Sequence, residues 1–233
     1  MFIVKLRKIN KRLICFHYYF LFLSMKFFDF HHHTPAKTTG IYNLKLSESI
    51  PGFPFSAGIH PISGHDDYEE NFSWLKETAT LDNCVAIGEC GLDGRIDVDE
   101  KIQEEIFHRQ ISLANDLKKP LIIHCVKRYS ELIRIKNFAD VPMVIHGFNK
   151  KKSIAGELLK HQFYFSFGKS LLYNIPLQEF LKSLPDDRFF LETDDADFEI
   201  SELYQLAASI KNSEIEQIEF QIINNLKNIS INL

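Results

Sequence analysis

The sequence predicts an α/β fold, a TIM-like (β/α) barrel in which the first two crossover helices are reduced to loops. Three observations predict it. Apolar runs of strand length recur between Lys26 and Thr193, several of them unbroken, as suits strands buried on both faces. Helical periods separate the later runs. Side chains able to bind metal fall at the carboxyl ends of the runs, where barrels of this kind build their sites.

The first predicted strand, Lys26–His31, is apolar and ends in the run His31-His32-His33 before Pro35 stops it. Alternation along a strand puts Asp29, His31 and His33 on one face and His32 on the other. Thr34–Gly40, and Ser47–Pro54 after a second strand at Ile41–Leu46, are too short for a helix each. A third strand, Phe55–His60, ends at Pro61, and a fourth spans Cys84–Glu89. Ile102, Ile106, Leu113 and Leu117 mark a helix before the fifth strand, Leu121–Cys125. Met143–Gly147 and Phe163–Gly168 follow. Leu177, Phe180, Leu181 and Leu184 mark a helix before the eighth strand, Arg188–Thr193. Two last helices show as Ile200, Leu203, Leu206, Ala207 and Ile210, and as Ile215, Ile218, Ile222 and Leu226.

The bulk numbers bound the reading. A chain of 233 residues with 45% apolar and 25% charged residues is ordinary for a globular protein, and 21 Phe point to a sheet-rich interior. Cys15, Cys84, Cys90 and Cys125 are scattered without a CxxC pair, the pattern of reduced thiols in a cytoplasmic protein. Residues 1–24 begin basic and turn apolar from Leu13 to Leu23, too short a run to span a bilayer. No small-x-small cleavage site precedes Met25, and the first strand follows at once. Residues 1–24 are therefore expected to be a leader or upstream extension outside the fold, and 25–233 a single domain, monomeric and without a membrane partner. Without the five cations of the leader, the net charge of −4 becomes −9, which argues against broad coating of nucleic acid.

The candidate site follows from the strand ends. His31 and His33 close the first strand, His60 the third, Glu89 the fourth, His124 the fifth and His146 the sixth, and Asp194 follows the eighth. A lone His ending an apolar strand is ordinarily a hydrogen-bonded core residue, and a lone acid in a strand-to-helix loop is ordinarily an N-cap. His17, His32, His65, His108 and His161 take that plain reading. For His31, His33, Glu89, His124, His146 and Asp194 the case is joint, because six donors at equivalent rim positions read as a metal site.

These motifs resemble the TatD-family metal-dependent hydrolases. The resemblance covers most of Met25–Asp195: DxHxH at Asp29, His31 and His33; GIHP; AIGExGLD; a PxxxH strand; IHGF in place of the more frequent HCF; and LETD. It implies a TIM-like barrel, a two-metal centre and phosphodiester hydrolysis, mainly of DNA. Carried over by motif, His31, His33 and Asp194 hold one ion, His124 and His146 the second, and Glu89 bridges them. The sequence departs from the family in its missing early helices and in Asp195-Ala196-Asp197 after LETD, which puts substrate shape in question but not the donors.

Two ions roughly 3.5–4 Å apart suit phosphodiester cleavage, and a bridging carboxylate offers one oxygen to each. Asp194 and Glu89 are the candidate catalytic groups, with Asp194 able to take a proton as general base. Glu192 shares its strand face and reads as the partner of a ligand or as a buried ion pair. His60 reads as a substrate-side residue or a core histidine. Four imidazoles favour Zn or Mn, while the resemblance keeps Mg. Lys127, Arg128, Lys150, Lys151, Lys152 and Lys169 crowd rim loops near helix N-termini, where positive charge is disfavoured by a few tenths of a kcal/mol each. They read as a small basic rim for a DNA end or a small phosphodiester, or as ordinary surface charge. The alternative function is an amidohydrolase-type metalloenzyme acting on an ester, lactone or amide, although many of those use a carboxylated Lys as bridge. No GxSxG elbow and no Gly-rich phosphate loop is present.

Overall fold

The computed structural model describes residues 26–63 and 68–233. The expectations for residues 1–24, with Cys15 and His17, and for His65 lie outside the described residues. Eight parallel strands, each bonded to the next in chain order, form one sheet. They are β1 Asp29–His32, β2 Gly40–Leu44, β3 Phe55–Ala57, β4 Cys84–Asp93, β5 Leu121–Val126, β6 Met143–Ile145, β7 Tyr164–Phe167 and β8 Phe189–Leu191. Just past β8, the Asp194 amide donates to the His31 carbonyl at 2.9 Å, and the His33 amide donates to the Asp194 carbonyl at 3.1 Å. This parallel bridge closes the sheet into a barrel.

Among the described residues seven α-helices flank the strands: α1 Tyr68–Ala79, α2 Glu100–Leu117, α3 Tyr129–Ile135, α4 Lys152–Lys160, α5 Ile175–Ser183, α6 Ile200–Lys211 and α7 Ile215–Asn228. The first two crossovers, residues 33–39 and 45–54, contain no helix, as the loop lengths predict. Side chains of the second loop cover the flank of β2 instead. The Tyr42 hydroxyl donates to Glu48 Oε2 at 2.7 Å, and the Tyr42 ring meets Phe53. Helices α1, α3 and α4 are absent from the sequence-based helical periods because their buried stripes are narrow: Leu132 and Ile135 in α3, Ala155 and Leu158 in α4.

Helix α2 shows how local sequence fixes an element. Asp99 caps it by accepting from the Lys101 and Ile102 amides, and Lys118 ends it in the left-handed region. Its buried face runs Gln103, Ile106, Phe107, Gln110, Ile111, Ala114, a three-and-four repeat. The phenylalanines do fill the interior. Phe30 stacks on Phe190 at 4.2 Å, and Phe148, Phe165, Phe167 and Phe180 form one cluster between β6, β7 and α5. Each buried Phe contributes about 1.5–3 kcal/mol.

Strand β4 departs from its expected end. It continues four residues past Glu89 to Asp93, because its register on β5 shifts between Ile87 and Cys90 and pairing then resumes with Cys90 beside Ile123 and Gly91 beside His124. Gly88 makes the shift possible: at φ +154° its hydrogen lies where a Cβ would come within 2.6 Å of the Ile122 carbonyl oxygen. No helix among the described residues is long and apolar enough to cross a membrane.

Candidate metal centre

The strand ends bring His31, His33, His60, Glu89, His124, His146 and Asp194 into one cluster at the carboxyl end of the barrel. Glu89 lies at its middle. One carboxylate oxygen, Oε2, stands 3.7 Å from His31 Nε2 and 3.8 Å from His33 Nε2. Asp194 Oδ1 completes that side, 3.8 Å from His31 Nε2 and 3.3 Å from His33 Nε2. The other oxygen, Oε1, stands 2.9 Å from His124 Nδ1, 2.8 Å from His146 Nε2 and 3.6 Å from His60 Nε2.

The donor chemistry fits a divalent cation. Two ligands about 2.1 Å from one ion at a tetrahedral angle lie about 3.4 Å apart, and the Oε2 side shows that spacing. The ligand atoms of His31, His33 and Glu89, of His31, His146 and Asp194, and of His60, Glu89 and His124 each lie within 4.8 Å of one another. His31 is fully buried with neither ring nitrogen hydrogen-bonded, which in a barrel interior is costly unless a cation takes the lone pair.

Backbone and buried polar side chains hold these donors. Asp194 adopts φ +56° and is pinned by its two bonds to β1. The preceding Thr193 donates both its amide (2.9 Å) and its hydroxyl (2.6 Å) to the Asp29 carboxylate, which also accepts from Lys37 Nζ at 2.8 Å. Asp29 thus braces the seam and stays out of the donor cluster. Asn43 Oδ1 accepts the Glu89 amide at 3.0 Å. Two glutamines seven residues apart on α2 grip the rim. Gln110 exchanges hydrogen bonds with both backbone groups of Ile59, beside His60, and Gln103 does the same with Asp93.

Outer partners orient the imidazoles. Asp93 Oδ2 lies 2.9 Å from His124 Nε2, on the opposite ring edge from Glu89. Glu192, fully buried, lies 3.4 Å from His146 Nδ1 and accepts the Gly147 amide at 2.5 Å. The His146 ring and the Gly147 amide are its partners, and no Lys or Arg pairs with it among the described residues. His60 Nδ1 accepts the Ile62 amide at 3.1 Å, which puts its ring proton on Nε2, facing Glu89. Asp93, Asn43, Gln103 and Gln110 are absent from the sequence-based site. Their signal is a polar residue in a buried run or on a buried helix stripe.

The electrostatics agree with a site built for positive charge. Burial alone would push the Glu89 carboxyl up, but His146 beside it and hydrogen bonds from His124 and His146 hold it well below the usual range. Burial opposes protonation of His146, yet Glu89 and Glu192 raise it well above the usual imidazole value. The hydrogen bond to Asp194 raises His33. For Asp194, burial is outweighed by that same bond and by His146 and His31, and its carboxyl is lowered. Burial brings His60 and His32 down to about 4, so both rings are neutral near pH 7.

Two further readings are resolved. Arg128 is no part of a free basic rim. Its side chain is buried and meets Glu104 at 2.8 Å, Glu100 at 3.3 Å and Glu131 at 3.5 Å, because its position just before α3 turns it back against α2. Cys84, Cys90 and Cys125 are free and buried, with thiols raised by burial, so none is a poised nucleophile.

Comparison with known proteins follows the geometry. The family model described as TatD related DNase matches residues 28–229. The metal-dependent hydrolase YabD of Bacillus subtilis is 36% identical over 159 residues, 64% of this chain and 62% of its own length. The 3'-5' ssDNA/RNA exonuclease TatD of Rahnella sp. is 32% identical over 64% of this chain and 60% of its own length. The match thus spans somewhat less than two thirds of these relatives. Among solved structures, the TatD homologue YJJV of Escherichia coli superposes with a TM-score of 0.73 at 18% identity, covering 88% of this chain and 98% of that one. With the family model matching nearly the whole barrel and the same fold in YJJV, this chain belongs to the TatD-related DNase family of metal-dependent hydrolases.

Proposed function

We propose that the chain is a two-metal phosphodiesterase that cleaves DNA from an end, with Zn, Mn or Mg as its ions. The observation that carries the reading is the placement of Glu89, which turns one oxygen toward His31, His33 and Asp194 and the other toward His124 and His146. A carboxylate so placed is suited to bridge two cations. Bound there, the ions supply Lewis acidity and an activated water. The exonuclease name borne by the Rahnella relative supports nucleic acid as the substrate class.

The protein's own groups then divide the work. Asp194, whose side chain is 36% exposed, faces the open edge of the cluster with His33 and takes the proton of the attacking water as general base. Its lowered carboxyl keeps it ionised for that task. Glu192 fixes the ring of His146, and Asp93 that of His124. His60, neutral and with its proton on Nε2, donates to a phosphate or leaving oxygen rather than to a metal.

The test is metal-reconstituted protein on labelled single-stranded DNA and on a small phosphodiester, beside an Asp194→Asn variant. Both substrates should be cut, cutting should stop with chelator and return with metal, and the variant should lose about 10²–10⁴-fold in turnover. Cleavage of neither substrate removes the phosphodiesterase reading. Equal rates in the variant remove Asp194 as the base.

A further inference from the structure

The loops after β6 and β7 form one continuous rim beside the site. Asn174 Nδ2 donates to Asn149 Oδ1 at 2.8 Å and so joins the two loops, while the Asn174 Oδ1 caps α5 through the Leu177 amide. Phe148 and Leu171, both essentially fully buried, root the loops in the core. On this base stand Lys150, Lys151, Lys152 and Lys169, none of which makes an ion pair or side-chain hydrogen bond among the described residues. Lys151 and Lys152 open α4 with no side-chain cap, a position where the helix dipole opposes their charge. These cations therefore add nothing to the folded state that a neutral residue would not. Tyr173 stands with them, 64% exposed, its ring stacked on nothing among the described residues. In the chain the rim follows His146 closely, with exposed Gly147, then Phe148 and Asn149, before Lys150.

We propose that this β6–β7 rim is the surface that holds a single-stranded nucleic acid beyond the cleaved bond, the lysines along its phosphates and Tyr173 under a base. The proposal rests on the phosphodiesterase reading and adds where the strand lies and why an unpaired one fits. Phosphates of either form call for uncompensated cations, but only an unpaired strand has bases free to lie on a flat aromatic face, which a duplex would leave unused. The body around this rim carries the opposite charge, which confines the strand to it.

The test is fluorescence anisotropy of a labelled 15-nucleotide single strand, and of its duplex, with full-length protein in chelator, so that turnover plays no part. A Lys151→Glu/Lys169→Glu pair should weaken single-strand binding at least 10-fold and flatten the log–log salt slope by about 1 to 2 units. Tyr173→Ala should weaken it by about 5-fold or more with little change in that slope. A Lys118→Glu/Lys182→Glu pair, of equal charge change but at the far ends of α2 and α5, should bind as the wild type does. Circular dichroism confirms that each variant is folded. The proposal is overturned if the rim variants bind like the wild type, if the far pair loses as much, if duplex binds as tightly as single strand, or if the wild type does not bind. A protein that binds through this rim but cuts nothing refutes the nuclease reading alone. One that cuts DNA while the rim variants bind normally refutes the surface alone.

Discussion

The two oxygens of Glu89 face unlike surroundings. On the Oε1 side the imidazoles of His124 and His146 close to 2.8–2.9 Å, and each is braced from behind by a carboxylate, Asp93 or Glu192. On the Oε2 side that oxygen stands 3.7–3.8 Å from His31 and His33, which in turn lie 3.3–3.8 Å from Asp194, and the bracing comes from the main chain at the β1–β8 seam. One side is held by side chains whose protons and charges answer one another; the other is held by backbone. The difference teaches where a substitution can act alone. Side-chain braces can be removed singly, whereas the seam cannot be altered without altering the barrel.

The largest expected effect erases the comparison. Glu89→Gln leaves an amide among five imidazoles and removes the shared charge of both sides, so turnover should fall by more than the roughly 10- to 100-fold typical of outer partners. Metal content per chain, measured by mass spectrometry of the dialysed protein, should drop for both ions together. Retention of one ion would show that the sides are independent. Glu192→Gln tests one side only. It should cost about 10–100-fold in affinity for the ion on the Oε1 side, read by calorimetric titration, and leave the other binding step in place. Asp93→Asn should cost the least, about 10-fold on that same step, because the amide still offers His124 an acceptor. Equal losses on both steps from either brace would mean that the two sides act as one unit.

Much of this was legible in the chain. Donors at the ends of apolar runs mark the rim, since a strand's last side chain sits at the mouth whatever surrounds it. Loop length alone shows the helix-poor crossovers after β1 and β2. Glu192 reads as the partner of a ligand from its strand face; the other braces were not legible, for a physical reason. Gln103 and Gln110 matter only because α2 passes behind Asp93 and Ile59, and no local pattern says which strand a helix will cover. Asp93 was hidden by the register shift at Gly88, which carries β4 beyond its apparent end. Arg128 shows the converse error: a cation beside a site looks available until the acids of a neighbouring helix, distant in sequence, surround it.

The seam has one more consequence. The bonds that join the last strand to the first are made by Asp194 with His31 and His33, so the residues that complete the barrel are the same ones that gather the donors. Breathing at this joint and loosening of any metal held by these donors would then be a single event. Deuterium uptake at the His33 and Asp194 amides should slow when metal is added, before any change is felt on the opposite wall.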